Sequence, residues 1–265
     1  MLPIPQQEIP QEILNELGAV GDITFPRQGH TSDVGIIDSE QGRVVLKRTK
    51  GKLYTDWLKR ESFILQCLSR TKLRVPKVRR FLLQEEEHQE IQGWLLMECL
   101  SGETVRRILT DEHDPSARYD ILFDFGKSLH ELHATPCPDE LKRGGKWLDH
   151  MLIEAEFHLE HHEVDGSPAL LNRLKTAKPA EVRQTLIHGD FTIDNVLIHG
   201  GRISGMIDWS GAAFGDPRYD VALAIRPKPH IFQTNQDLQA FFDGYGGDIS
   251  NEEYDYFANG LYAFF

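Results

Sequence analysis

Up to about residue 100 the apolar positions of this chain come in short, β-rich runs, and beyond Ser101-Gly102 they recur at helical spacing. In the first part, strands are expected near residues 23–25, 34–37 and 44–47, with Gln41-Gly42 as the turn between the last two. Trp57, Leu58, Phe63, Ile64, Leu65 and Leu68 supply the apolar face of a helix over residues 55–69, and Val75-Pro76 ends that stretch. Two further strands, near 78–83 and 93–97, flank a charged turn at 85–90. The first twenty residues, with Pro3, Pro5 and Pro10, read as a lead-in and a short helix.

The second part predicts amphipathic helices over residues 119–133, 147–162, 168–177, 237–244 and 252–264. A β-rich half followed by a mainly helical half implies an α+β, bilobal architecture. Its expected division is a small lobe of residues 1–100 and a larger lobe of residues 101–265. No internal repeat and no low-complexity tract interrupts it.

One stretch breaks the helical pattern. Leu186-Ile187-His188-Gly189-Asp190 leads to Asn195, and Asn195-Val196-Leu197-Ile198-His199 is followed by Gly200-Gly201 and then Arg202 to Ile207-Asp208-Trp209. A Gly-Gly pair between β-rich runs marks a hairpin, which brings its two ends, Asn195 and Asp208, together. Phosphoryl transfer from a nucleotide needs one group at the acceptor hydroxyl and oxygen ligands for magnesium. Asp190 suits the first role, accepting the hydroxyl hydrogen bond and aiming its oxygen. Asn195 and Asp208 suit the second. A lone His-Gly-Asp would read as ordinary turn residues; the hairpin and the second Asp together point to catalysis.

These residues resemble the signature of the aminoglycoside phosphotransferase and choline kinase-like family of small-molecule kinases: His-Gly-Asp, four residues, Asn, then a strand ending in Ile-Asp-Trp. Gly215-Asp216-Pro217 and Asp220 match its Gly-Asp-Pro-x-x-Asp segment, and Lys47, Glu61, Val75-Pro76-Lys77-Val78 and Leu96-Met97-Glu98 follow the expected order upstream. The resemblance implies a protein-kinase-like fold, with magnesium and ATP as cofactors. On that pattern Lys47, at the end of a strand, contacts the phosphates and Glu61 fixes it by an ion pair. The backbone carbonyl of Glu98 and the backbone N–H of Leu100 read the adenine edge, and Met97 lines the back of the pocket. Backbone readout of this kind admits GTP as well as ATP. Gly29 and Ser32 are expected in the phosphate-covering loop at 27–35, a loop without the glycine density of a protein-kinase loop.

Composition narrows the partners. The formal net charge is -12, which argues against nucleic acid, whose phosphates need a basic footprint. An acidic surface suits a cationic substrate and suits plain solubility equally. No apolar stretch approaches a membrane span and the N-terminus carries no signal pattern. Cys67, Cys99 and Cys137, widely spaced, fit neither a disulfide framework nor a zinc knuckle, so a reducing cytoplasm is expected. The resemblance implies that the acceptor is a small-molecule hydroxyl, of an aminoglycoside-like compound or a metabolic alcohol.

Other candidates read more plainly. His158 and His162, one turn apart with Glu154, could share a helix face with zinc, but the run does not match His-Glu-x-x-His and reads as a solvated face. His130 and His133 read as packing or surface residues, and Asp194 as a loop residue. His188 is expected to orient the loop by a hydrogen bond, and Asp216 and Asp220 to cap the helix after Pro217 and brace that loop. The alternative function, a nucleotide-binding regulator without turnover, should have lost Asp190, Asn195, Asp208 or Lys47, and none is lost.

Overall fold

A computed structural model of the chain describes residues 3–26, 31–85 and 91–265. It divides into two compact units, Met1–Arg70 with Arg74–Leu100, and Thr71–Leu73 with Ser101–Phe265.

The first unit runs α1 (Gln11–Leu17), β1 (Val20–Thr24), β2 (Asp33–Ser39), β3 (Gly42–Lys50), α2 (Lys52–Leu68), β4 (Val78–Glu85) and β5 (Ile91–Glu98). All neighbouring strands are antiparallel, in the order β1-β2-β3-β5-β4. Side chains alternate across a strand. On β3, Val44 and Leu46 therefore join Ile37, Trp94 and Leu96 in a core closed by Ile13 and Leu17 of α1. Lys47 takes the opposite side of β3 from Val44 and Leu46 and meets α2. That helix buries Leu58, Ile64, Leu65 and Leu68, each worth about 1.5–3 kcal/mol over an exposed position. It starts three residues before the expected 55, because Gly51, at φ 82°, turns the chain directly into it.

The second unit contains β6 (Glu103–Thr104), α3 (Val105–Asp111), α4 (Pro115–Ala134), α5 (Trp147–His161), α6 (Pro168–Thr176), β7 (Thr185–Ile187), β8 (Val196–His199), β9 (Arg202–Met206), β10 (Ala213–Gly215), α7 (Pro217–Ala224), α8 (Asn235–Tyr245) and α9 (Asn251–Tyr254). Local chemistry sets the helix starts. Asp114, Ser167 and Asp216 each accept a backbone N–H and precede a proline at the first helical position, where its missing N–H costs nothing. The sheets here are small: β7 pairs with β10, and β8 lies between β6 and β9.

The helix expected over 252–264 is broken up. Only α9 is α-helical, followed by a wide π turn at Asp255–Gly260 and a 3-10 turn at Leu261–Phe264. Gly260 leaves helical geometry at φ -99°, ψ -83° and packs where a Cβ would lie 2.7 Å from Leu174. Packing there outweighs helical spacing, and it buries Phe257, Leu261 and Phe264 with Trp147, Leu171 and Leu174. Helices α4 and α8 touch backbone to backbone: a Cβ on Gly126 would lie 2.0 Å from the Phe241 carbonyl, and one on Gly244 1.9 Å from the Phe123 carbonyl. Phe125 stacks on Phe191 at 4.9 Å, tying this helix pair to the loop after β7. Among the described residues, no helix is long and apolar enough to cross a membrane.

Candidate active site

Strand β7 delivers the chain to His188, and three separate anchors then shape the turn. Asp220, fully buried on α7, accepts the backbone N–H of His188 at 2.6 Å and of Gly189 at 2.8 Å. The His188 ring donates from Nε2 to the Ile207 carbonyl at 3.0 Å and accepts the Asp190 N–H at Nδ1 at 3.3 Å. Those two partners fix the tautomer. The ring also lies 4.3 Å from that of Trp209. Gly189 adopts φ 83°, and a Cβ there would stand 2.2 Å from the Gly211 carbonyl, so glycine is required on two counts.

Asp190 is held from its own loop. Asn195 Nδ2 donates to Asp190 Oδ2 at 2.8 Å and to the Asp190 carbonyl at 2.9 Å. Those donations orient the Asn195 amide and leave its Oδ1 with no partner among the described residues. Asp190 Oδ1 is buried and likewise has no hydrogen-bond partner. Burial first, then the Asp190 charge and a side-chain hydrogen-bonding interaction with Asp190, push the Tyr262 hydroxyl up to about 12, although no contact to Oδ1 meets hydrogen-bond geometry. Burial first, and the Asp208 charge second, push the Asp190 carboxyl up to about 6 against the opposing bond from Asn195.

The hairpin forms as the Gly-Gly signal predicts. Gly200 and Gly201 take φ 59° and 76°, and β8 pairs with β9 from Val196↔Met206 to His199↔Arg202. Ile207 N–H bonds the Asn195 carbonyl at 2.9 Å, which sets Asn195 across from the residue before Asp208. Asp208 itself sits at φ 67°, ψ 61°, a left-handed conformation that costs a non-glycine residue about 1–2 kcal/mol. Strain of this kind gathers at functional positions. The acceptors Asn195 Oδ1 and the Asp208 carboxylate are both hard oxygens. Such a pair fits magnesium, which takes one or two protein oxygens beside phosphate and water.

Two contacts had no signal in the sequence. Arg106, in the first turn of α3, grips both carboxylate oxygens of Asp194 and donates its backbone N–H to the Ile193 carbonyl at 2.9 Å. Asp194 is thus an anchored loop residue. His133 is a packing residue: it is half-buried in α4, its side chain 7% exposed, and it reaches Asp220. Both pairings join residues more than 80 positions apart, beyond the reach of local pattern.

In the first unit, Lys47 Nζ donates to Glu61 Oε1 and Oε2 at 2.7 and 2.9 Å, with the two residues 7% and 3% exposed. Met97 is buried on β5, Glu98 ends that strand half-buried, and Leu100 follows half-buried. The Glu98 N–H bonds the Lys77 carbonyl at 2.9 Å. Ser32 is half-buried just before β2, and Gly29 lies outside the described residues. His158 bonds the Phe264 carbonyl at 2.9 Å, and among the described residues no three His, Cys, Asp or Glu side chains cluster as a metal site.

The chain is similar to known proteins over most of its length. Its sequence matches the phosphotransferase enzyme family over residues 22–257. It is 27% identical over 260 residues to an aminoglycoside 3'-phosphotransferase of Niallia circulans, covering 92% of each chain. It is 39% identical over 178 residues to the homoserine kinase of Neisseria meningitidis, covering 61% of this chain and 53% of that one. The fold is similar to that of the aminoglycoside phosphotransferase APH(2")-IIa solved with gentamicin, at a TM-score of 0.68 and 16% identity, covering 99% of this chain and 87% of that one. On its sequence match and its α+β, protein-kinase-like fold, the chain belongs to the phosphotransferase enzyme family.

Proposed function

We propose that this enzyme transfers the γ-phosphate of ATP to a hydroxyl of a small molecule with Asp190 at the acceptor, Asn195 and Asp208 as magnesium ligands, and Lys47, fixed by Glu61, on the phosphates. The observation that carries the reading is the division of labour within Asp190. Oδ2 is tied to Asn195, while Oδ1 is buried and unpartnered, ready to accept the hydrogen bond of an incoming hydroxyl. A carboxyl pushed up to about 6 by burial and by Asp208 can also take up that proton near neutral pH. Magnesium, when bound, supplies positive charge that steadies the phosphates, and the repulsion between Asp190 and Asp208 is what such a charge relieves.

The nucleotide-binding lobe is assigned to residues 1–100 and the catalytic and acceptor-binding lobe to 101–265. Met97, Glu98, Leu100 and Ser32 belong to the nucleotide site on the family pattern. GTP can replace ATP where the base is read by backbone groups. The relatives include an aminoglycoside kinase and a homoserine kinase. The acceptor is drawn from that range, and a net charge of -12 favours one carrying an amine. Three widely spaced cysteines, at 67, 99 and 137, support a reducing, cytoplasmic setting.

The test is nucleotide consumption by the purified protein with magnesium and ATP or GTP, against a panel of aminoglycosides, homoserine and other small alcohols. Acceptor-dependent consumption that disappears in Asp190→Asn supports the assignment. Consumption that survives in that variant refutes the role of Asp190, and none with any acceptor removes the support for turnover.

A further inference from the structure

We infer that the acceptor carries an anionic group, a carboxylate or a phosphate, and that Arg226 binds it beside Asp190; this rests on the phosphotransfer reading for the hydroxyl at Asp190. Arg226 follows the end of α7 and is half-buried, with its guanidinium carbon 4.5 Å from the centre of the Tyr262 ring. Tyr262, in the 3-10 turn at Leu261–Phe264, is half-buried as well. Burial and Asp190 push its hydroxyl up, Arg226 works in the other direction, and the phenol has a side-chain hydrogen-bonding interaction with each. One phenol ring therefore borders both the catalytic carboxylate and the arginine. Tyr219, buried on α7, senses the same groups: burial first, then Tyr262, Asp190 and Asp220 raise its hydroxyl, and Arg226 opposes them.

What Arg226 lacks is an acid. The second unit has four half-buried arginines. Arg106 is paired with Asp194, Arg118 with Asp237, and Arg218 with both Asp216 and Glu253. Arg226 stacks on Tyr262 instead, and among the described residues no carboxylate comes within ion-pair distance of it. Nor does it neutralise Asp190, whose carboxyl is set by burial, Asp208, Asn195, Asp220 and Asp194. The segment that Arg226 opens adds to the local charge. Residues 226–236 include Lys228 and His230 and no acid, in a chain with 41 acidic and 29 basic residues. A guanidinium offers its N–H groups in a planar fork that matches a carboxylate or a phosphate, and stacking one face on a ring leaves the edges of the fork open. An acceptor with its hydroxyl at Asp190 Oδ1 and its anion at Arg226 is short, because a single phenol borders both ends. The net charge of -12 acts on the approach of the acceptor, whereas the arginine acts at contact, so an amine elsewhere on the same molecule is compatible with both.

The experiment measures kcat and KM, with magnesium and ATP, for two matched pairs of acceptors: homoserine against its carboxamide, and glycerol 3-phosphate against glycerol. Binding of homoserine and of glycerol 3-phosphate is also followed by calorimetry without nucleotide. The wild type prefers the charged member of at least one pair by about tenfold or more in kcat/KM, and the pair that responds tells carboxylate from phosphate. In Arg226→Gln that preference falls about tenfold to a hundredfold, as for a lost hydrogen bond to a charged group, chiefly through the acceptor KM. Arg226→Lys keeps the charge without the fork and retains an intermediate preference; it is read by the same criteria where Arg226→Gln does not fold. The phosphoryl group in transfer is the other anion near Asp190, and it is present with every acceptor. Equal losses with charged and uncharged acceptors would therefore assign Arg226 to that group or to the fold, and overturn the inference. A wild type without preference in either pair overturns it as well. An absence of turnover with any acceptor counts against the phosphotransfer reading. Calorimetry then still decides Arg226: binding of either anion that is lost in Arg226→Gln supports the anion site, and binding of neither overturns it.

Discussion

Asn195 donates one side-chain amide to two oxygens of Asp190, the carboxylate Oδ2 at 2.8 Å and the backbone carbonyl at 2.9 Å. The residue assigned to magnesium thus also fixes the group assigned to the acceptor. Asn195→Ala should therefore damage both roles at once. A hydrogen bond to a charged group is worth about 1.5–3 kcal/mol, so kcat should fall about tenfold to a hundredfold, with a raised magnesium requirement. Steady-state rates over a magnesium titration check this. A variant with lowered kcat but an unchanged magnesium midpoint would remove Asn195 from the metal site.

Asp190 sets a pH signature that stability measurements can read. An ordinary aspartate titrates near 3.8, and this one is pushed up to about 6, first by burial and then by Asp208. The folded protein therefore holds this proton more tightly than the unfolded chain does. Stability from this group is full at low pH, declines as pH rises from about 4 to about 6, and stays reduced above that. The two-unit difference corresponds to about 3 kcal/mol. Asp190→Asn removes the ionisation, so in the metal-free protein it should be more stable than the wild type at pH 8 and no more stable at pH 3.5. Its turnover should fall by about a thousandfold while nucleotide binding persists. Urea unfolding at the two pH values tests the first part, and an equal stability difference at both would contradict it.

The elements that local pattern governs were legible in the chain. Gly200-Gly201 announces the β8–β9 hairpin because only a primed turn at positive φ closes two strands with two residues. The face of Leu58, Ile64, Leu65 and Leu68 announces α2. Lys47 and Glu61 meet because one ends an apolar run on β3 and the other lies on the buried face of α2. What stayed hidden depends on distance along the chain. Arg106 has no nearby cue to Asp194, nor has His133 to Asp220, since each pair is made only when separate elements dock. The short strands β6, β7 and β10, two or three residues each, hold too few side chains to show a period. The last predicted helix keeps its span but changes pitch, from α to π to 3-10, and Gly260 packs against Leu174 where the π turn passes into the 3-10 turn.

The Lys47–Glu61 pair makes a separable prediction. Both groups are buried and joined by bonds of 2.7 and 2.9 Å, so removing one partner leaves a buried charge without its counterpart. Glu61→Ala and Lys47→Ala should each cost about 3–5 kcal/mol of stability. Replacing both, as Lys47→Met with Glu61→Leu, should recover most of that stability because two apolar side chains fill the same space. The double variant should still bind ATP poorly, since the lysine assigned to the phosphates is gone. Urea unfolding and nucleotide titration separate the two effects. A double variant that regains nucleotide affinity along with stability would leave Lys47 a structural role only.

Two glycines in left-handed geometry should respond oppositely to alanine. At Gly189, φ is 83° and a new Cβ would lie 2.2 Å from the Gly211 carbonyl, a backbone atom that cannot rotate away. At Gly200, φ is 59° and nothing lies within 4 Å of the same added atom. Gly200→Ala should therefore lose only the backbone preference, about 1 kcal/mol, and keep its turnover. Gly189→Ala should lose that amount and more, because the turn must open against the bonds that Asp220 makes to the His188 and Gly189 amides. A loss of about 3 kcal/mol is expected, with turnover falling at least a hundredfold as Asp190 is displaced. Melting curves and acceptor-dependent rates for the two variants side by side decide it. Similar behaviour of the two would mean that the tight passage between Gly189 and Gly211 does not hold the catalytic turn.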